Sequence, residues 1–417
     1  MKRVLIHSLI FSPDGVSTAY LYNDIALTLQ RRGYEVVVLT TTPHFNIVEE
    51  QLREQPMKWK VRGLCKESRF QGIKVLHVPQ KKFKSTLLRL LGFVFWHVVS
   101  FFMALTIKHV DMILSPSPPL TIGFMNLGLA KLKGCKVVYN VQEIYPDIMK
   151  LKDGIVLNVL RWVEKHVYNG SDAVTTIDQV FHDTIVDRFI DKSKLHIIPN
   201  FVDTELYRQC EWRGVLDETM FPNNDKIHLL YAGNIGLMQD WDTLLALAEL
   251  TSDVNVEFIV VGEGAKKAYL EKESRQRGLQ NLRVLPYQPR NLMPYILAYS
   301  DINFIFMCSG MDSDGFPSKI YTIMACERPL LVASGENTPI INFLRDKNCA
   351  KLVTDKDAEK KAEEMSAWLH GTTREELCEM GRRGLKTIQD SYTKEKVTGM
   401  YADLVDDLLN TNYTDKA

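Results

Sequence analysis

With 417 residues, 46% of them hydrophobic and 24% charged, the chain has material for two or three domains with sizeable cores. The 51 Lys and Arg balance the 51 Asp and Glu, so no overall field selects nucleic acid as a partner. The seven cysteines are scattered, odd in number and never at metal-ligand spacing, which argues against a disulfide framework or a zinc site and for a reducing cytoplasm.

Met1-Lys2-Arg3-Val4-Leu5-Ile6 opens like a signal peptide, but Asp14 and Gly15 end the apolar run early and no small-residue cleavage site follows. It reads as a first strand, Arg3 to Ser8. A helical pattern from Ser17 to Arg32 and a strand from Tyr34 to Thr40 complete a βαβ unit, and so a parallel sheet. Gly15 and Val16 lie in the loop beyond the first strand, where open α/β sheets bind ligands. Residues 45–70 are polar and basic, without a clear period, and Gly72 to Pro79 is the next strand. Between Lys58 and Arg89 cations dominate, among them Lys81, Lys82 and Lys84. Thr86 to Ile107 is almost continuously apolar and long enough to span a bilayer. Arg89 and His97 inside it oppose that reading, as does topology, because Gly72–Pro79 and Asp111–Ser115 read as strands of one sheet. The segment is expected to be a crossover helix, either buried all round or resting an apolar face on a membrane. Strands at Cys135–Val141, Ala173–Ile177 and Leu195–Ile198 finish a first domain over 1–200. The loop after Val141 carries Gln142, Glu143 and Asp147.

A second α/β series over 201–393 has strands at His228–Ala232, Val256–Val261, Leu282–Leu285, Ile302–Phe306, Leu330–Val332 and Ala350–Val353. A last helix begins near Lys394, and the segment 394–417 is long enough to return to the first domain. Gly-containing loops follow three of the strands: Gly233-Asn234-Ile235-Gly236, Gly262-Glu263-Gly264-Ala265-Lys266-Lys267, and Asp314-Gly315-Phe316-Pro317-Ser318-Lys319. The last joins a strand to a helix N-terminus, whose N–H groups and positive end suit an anion such as a diphosphate, with Lys319 adding a point charge. Gly262-x-Gly264 lacks the third glycine of a dinucleotide dehydrogenase, because position 267 is Lys.

In combination and order, Pro13-Asp14-Gly15-Val16, Ile198-Pro199-Asn200-Phe201-Val202-Asp203, Tyr231-Ala232-Gly233-Asn234-Ile235-Gly236 and Asp314-Gly315-Phe316-Pro317-Ser318-Lys319 resemble the retaining group-1 glycosyltransferases of GT-B fold, over nearly the whole chain. Within that family the Gly-Asn-x-Gly-x-x-Gln and Pro-Ser-Lys signatures are most similar to bacterial O-antigen, capsule and exopolysaccharide transferases, N-acetyl-fucosamine transferases among them. The resemblance implies two doubly wound Rossmann-like α/β domains facing a central cleft. It also implies metal-independent transfer from a nucleoside-diphosphate sugar, with no cofactor.

The chain departs from the family pattern at particular positions. The second glutamate of the family's Glu pair falls on Thr322, its diphosphate Arg and Lys fall on Asn234 and Gln239, and a first-domain His falls on Gln142. Lys319 and Lys267 are then expected to supply the positive charge, with Asp314 orienting sugar hydroxyls. Gly233, Asn234, Gly236, Gln239, Gly264, Tyr287, Gly315, Phe316, Pro317, Ser318 and Thr322 are expected to line the donor site, and Gly15, Val16, Gln142, Glu143 and Asp147 the acceptor side. Gln142 and the two signatures point to a UDP-linked N-acetylated sugar as donor. The expected acceptor is a polyprenyl-diphosphate-linked saccharide, reached from an anionic membrane surface at the cytoplasmic face by a peripheral enzyme. A nucleotide-sugar epimerase or a non-catalytic nucleotide-sugar-binding homologue on the same fold are the alternatives.

Overall fold

The computed structural model describes residues 1–47, 49–81, 85–308 and 316–410. The chain divides into two units, Met1–Asn200 together with Glu395–Ala417, and Phe201–Lys394.

In the first unit the described strands are β1 (Arg3–His7), β2 (Glu35–Thr41), β3 (Lys58–Val61), β4 (Cys65–Phe70), β5 (Ile73–Val78), β6 (Met112–Pro116), β7 (Lys136–Val141), β8 (Ala173–Thr176) and β9 (Leu195–Ile197). Their order is β3-β4-β5-β2-β1-β6-β7-β8-β9. From β5 to β9 all neighbours are parallel, and their near-continuous burial is what helices on both faces require. The direction of travel reverses at β1, between β2 and β6, which is the switch point of this sheet.

The stretch 45–70, expected to be irregular, holds the helix Glu49–Glu54 and an antiparallel extension of the sheet edge. Strand β3 is exposed throughout, so it carries no apolar alternation to read. The helix Thr86–Thr106 crosses from β5 to β6, which lie in one sheet, as the topological argument requires. It is not buried all round. Trp96, Val99, Ser100, Met103 and Ala104 pack inward, while Leu87, Leu91, Val98 and Phe102 are exposed. Lys133 Nζ donates to the Leu105 and Ile107 carbonyls at 3.2 and 2.7 Å, satisfying acceptors at the helix end. The helix Lys394–Asn410 buries Val397, Tyr401, Ala402, Val405 and Leu409, and its Tyr401 hydroxyl accepts from Asn140 Nδ2 at 2.8 Å.

The second unit has β10 (Ile227–Ala232), β11 (Val256–Val261), β12 (Leu282–Leu285), β13 (Ile302–Phe306), β14 (Leu330–Ala333) and β15 (Ala350–Val353). The sheet is parallel, in the order β12-β11-β10-β13-β14-β15. Alternate residues of the central strands enter opposite cores. Leu230, Ile259 and Ile305 face one, and Leu229, Phe258 and Phe304 the other. The order reverses between β10 and β13.

Candidate functional site

Loops that leave a parallel sheet at its switch point diverge to opposite faces and leave a crevice. In the second unit these are the loop after β10 and the segment after β13. Asp240 N–H donates to the Phe306 carbonyl at 3.0 Å and Cys308 N–H to Met238 at 3.0 Å, which ties the two together. The Gln239 Oε1 accepts from Gly236 N–H at 3.1 Å, and Trp241 Nε1 donates to the Gly236 carbonyl at 2.9 Å. Gln239 therefore folds the loop, at the position where the family carries a cation.

The loops after β10 and β11 cross at backbone contact. Gly233 N–H donates to the Val261 carbonyl at 2.9 Å, Ile235 N–H to Glu263 at 2.9 Å, and Lys266 N–H back to Ile235 at 2.9 Å. A Cβ on Gly262 would stand 1.9 Å from the Gly233 carbonyl oxygen, and one on Gly264 would stand 2.3 Å from that of Ile235. Gly264 thus serves the approach of two chain segments. The Asn234 side chain lies between Gly236 and Gly264, its Oδ1 2.8 Å from where a Gly264 Cβ would be.

Lys319 opens the helix Lys319–Ala325. Its ammonium lies 3.8 Å from the centroid of the Tyr231 ring and would be 3.2 Å from a Cβ on Gly233. A side chain at position 233 would press on it. The Tyr231 ring is held from below, its hydroxyl donating to the Asn234 carbonyl at 2.7 Å. Among the described residues no carboxylate ion-pairs with Lys319, and burial lowers its pKa to about 7. The aromatic face holds the ammonium in place, while burial leaves it short of compensating negative charge among the described residues. Sequence reasoning did not single out Tyr231. The signal was an aromatic one residue before the end of a buried strand.

The other expected residues divide. Ile320 and Tyr321 N–H groups bond the Pro317 and Ser318 carbonyls, so the described helix start directs fewer free donors outward than its sequence suggested. Phe316 packs on Tyr321 and Phe343, with ring centroids 5.3 and 4.9 Å away. Tyr287, beyond β12, is 64% exposed and open to stack on a planar group. Thr322 donates its hydroxyl to the Lys319 carbonyl at 2.7 Å and is occupied within the helix. Lys267 corrects an expectation: its ammonium is 2.5 Å from Glu263 Oε1, an (i, i+4) pair that closes on itself. Asp314 and Gly315 lie outside the described residues. No group of three or more His, Cys, Asp or Glu is gathered in metal-binding geometry among the described residues.

In the first unit, Gly15 N–H donates to the Phe45 carbonyl at 3.2 Å, and Val16 precedes the helix Ser17–Arg31 in extended conformation. Buried Asp14 draws the loops after β1 and β2 together, accepting from His44 and Phe45 N–H at 2.9 and 2.8 Å. Gln142 is the centre of a polar chain. Its N–H donates to Ser117 Oγ at 3.1 Å, its Nε2 to Asn140 Oδ1 at 2.9 Å, and its Oε1 accepts from Asn200 Nδ2 at 3.0 Å. Glu143 lies beside Tyr145, whose hydroxyl is pushed up to about 12 by burial and by that carboxylate. Asp147 is not a free acceptor-side carboxylate. Arg188 and Arg161 hold it at 2.6 and 3.1 Å. At the end of β1, the Nδ1 of buried His7 meets Asn126 Oδ1 at 2.7 Å, and burial lowers its pKa to about 4.

The Glycosyltransferase Family 4 model matches residues 19–206, and the Glycosyl transferases group 1 model matches residues 217–386. The chain is similar to WcaI of Escherichia coli (strain K12), named for a proposed glycosyl transfer in colanic acid biosynthesis, with 27% identity over 340 residues, 78% of this chain and 81% of that protein. Among solved structures, Anabaena Alr3699/HepE in complex with UDP superposes with a TM-score of 0.70 at 13% identity, over 98% of this chain and 100% of that one. WaaG, a glycosyltransferase involved in lipopolysaccharide biosynthesis, does so with a TM-score of 0.65 at 14% identity, over 96% and 99%. At these identities the solved structures speak for the fold.

Proposed function

We propose that this chain, whose two halves match the Glycosyltransferase Family 4 and Glycosyl transferases group 1 models on a GT-B framework of two Rossmann-like domains, transfers a sugar from a UDP-N-acetyl sugar to a polyprenyl-diphosphate-linked saccharide in bacterial surface polysaccharide synthesis. Transfer proceeds with retention and without a metal ion. The bond from the anomeric carbon to the β-phosphate oxygen breaks, the bond to the acceptor oxygen forms on the same face, and the departing phosphate takes the acceptor's proton. Lys319 faces the negative charge that grows on the diphosphate, where a preorganised donor acts most strongly. One observation carries the reading: the Lys319 ammonium on the Tyr231 ring, against Gly233, at the switch point of the second sheet. The HepE complexes with UDP and with UDP-glucose support a nucleotide-sugar donor, and the name of WcaI supports polysaccharide synthesis.

Thermal-shift titration with UDP-, GDP- and dTDP-sugars tests the donor, and a transfer assay with the stabilising sugar tests the reaction. UDP-N-acetyl sugars should stabilise the protein. Lys319→Ala should keep the fold and lose about 2–4 kcal/mol of transition-state stabilisation, as for one oxyanion donor. Selective stabilisation by GDP-mannose refutes the donor, and epimer formation without transfer refutes the reaction.

A further inference from the structure

We propose that the first unit docks on an anionic bilayer through one apolar face shared by three adjacent helices, Thr86–Thr106, Leu120–Lys133 and Ile155–Gly170. The inference deepens the lipid-linked acceptor of the proposed function and rests on it for its purpose only.

The helices are joined side by side. His97 Nε2 meets Thr121 Oγ1 at 2.9 Å between the first two. Between the second and third, glycines permit close approach: a Cβ on Gly123 would lie 2.8 Å from Val167, and one on Gly170 would lie 2.8 Å from Leu127. The Phe124 and Trp162 rings, 5.6 Å apart, continue that seam. Outward, Leu91 (55% exposed), Phe102 (62%), Phe124 (41%), Val159 (53%) and Trp162 (51%) leave large apolar side chains in water on every helix of the layer. Scattered exposed apolar residues need no explanation, whereas a contiguous patch across three elements marks a surface to be covered. Trp and Phe at such a patch suit the interfacial depth of a membrane.

Charge decides what covers it. The exposed charged residues of these helices are Arg89, Lys131, Arg161 and Lys165, of which Arg161 is shared with Asp147 at 3.1 Å. Their one carboxylate, Glu164, is buried against Arg188. A second copy apposed through the same face would bring these cations together, and a two-fold interface makes that repulsion unavoidable. Anionic lipid headgroups complement them, and an apolar face with a cationic rim supplies the two signals that stable peripheral binding needs. Spanning is excluded because β5 and β6 flank the first helix in a single sheet. The cation-rich stretch that begins at Lys58 contributes less to this rim, since Glu67 takes both Lys60 and Lys74 at 3.4 and 3.3 Å. Lys82 and Lys84 lie outside the described residues.

Flotation of the full chain with vesicles of phosphatidylglycerol and phosphatidylcholine, in the absence of donor, tests the proposal. The protein should float at low salt and far less with pure phosphatidylcholine. The double variant Val159→Glu, Trp162→Glu should cut the bound fraction at least fivefold while the melting temperature and UDP binding hold. Vesicles with brominated acyl chains should quench tryptophan fluorescence in the parent and less in Trp162→Phe. Parent protein that stays below anionic vesicles at low salt overturns the proposal, as does a double variant that floats undiminished. A concentration-dependent dimer abolished by the same substitutions assigns the face to a second copy and also overturns it. Because UDP binding is read separately, failure to dock and failure of the glycosyltransferase reading give different results.

Discussion

Lys319 combines two properties that oppose each other. Burial favours its neutral form, with a pKa near 7, while the diphosphate it is proposed to meet favours the charged form. The signs follow. Between about 7 and the ordinary lysine value the folded chain binds fewer protons than the unfolded one, so this residue makes stability rise with pH across that window. Binding an anion reverses the preference, and a proton is taken up with the ligand. UDP affinity should therefore be greatest below pH 7 and weaken by up to about tenfold per unit above it, until the bound-state pKa is reached. Calorimetry in buffers of different ionisation enthalpy should show proton uptake near pH 8. In Lys319→Met both the slope and the uptake should vanish; a pH profile unchanged by that substitution would remove Lys319 from the diphosphate site.

At the scale of elements, the crossing of the loops after β10 and β11 holds the site's backbone in place. Gly262 has φ +157° and no space for a side chain, since a Cβ would lie 1.9 Å from the Gly233 carbonyl. Gly262→Ala should separate the loops, lowering stability by more than about 2 kcal/mol and weakening UDP binding in any protein that still folds; chemical denaturation and a UDP titration together check this. The glycines were legible in the sequence as strand-end loops, but their reason was not. A Gly-x-Gly after a strand reads equally as a cradle for phosphate or as clearance for another loop, and the partner that decides is nearly thirty residues away. Distance along the chain also hid the commitment of Asp147 to Arg161 and Arg188, whereas Glu263 stands only four residues before Lys267, at a spacing that a helix start could have shown. The hairpin of β3 and β4 escaped for another cause. A strand exposed on both faces has no hydrophobic period. By contrast, the strands of both parallel sheets were legible to within a residue or two, because burial on both faces writes them as apolar runs.

At the scale of the whole molecule, alternation of strand and helix was enough to establish two doubly wound domains. The order of the strands, and with it the two switch points, came only from pairing. The path of the chain has a further outcome. It leaves the first unit at Asn200 and comes back at Glu395, where the terminal helix fills a slot lined by residues from the start of the sequence. Lys2 Nζ donates to the Leu409 carbonyl at 2.7 Å, and the Thr28 hydroxyl to Thr398 Oγ1 at 3.0 Å. The second unit is thus an insertion, continuous in sequence, within a discontinuous host. Excised as residues 201–394, it should fold alone and show a cooperative melt. The fragment 1–200 should not, because five buried apolar or aromatic positions lose their occupant. A synthetic peptide of residues 394–410 supplied in trans should restore its cooperative unfolding, a fragment complementation that a scrambled peptide should fail to reproduce. Nascent chains face the same constraint: the first unit waits for residues 395–410 to leave the ribosome before it can close.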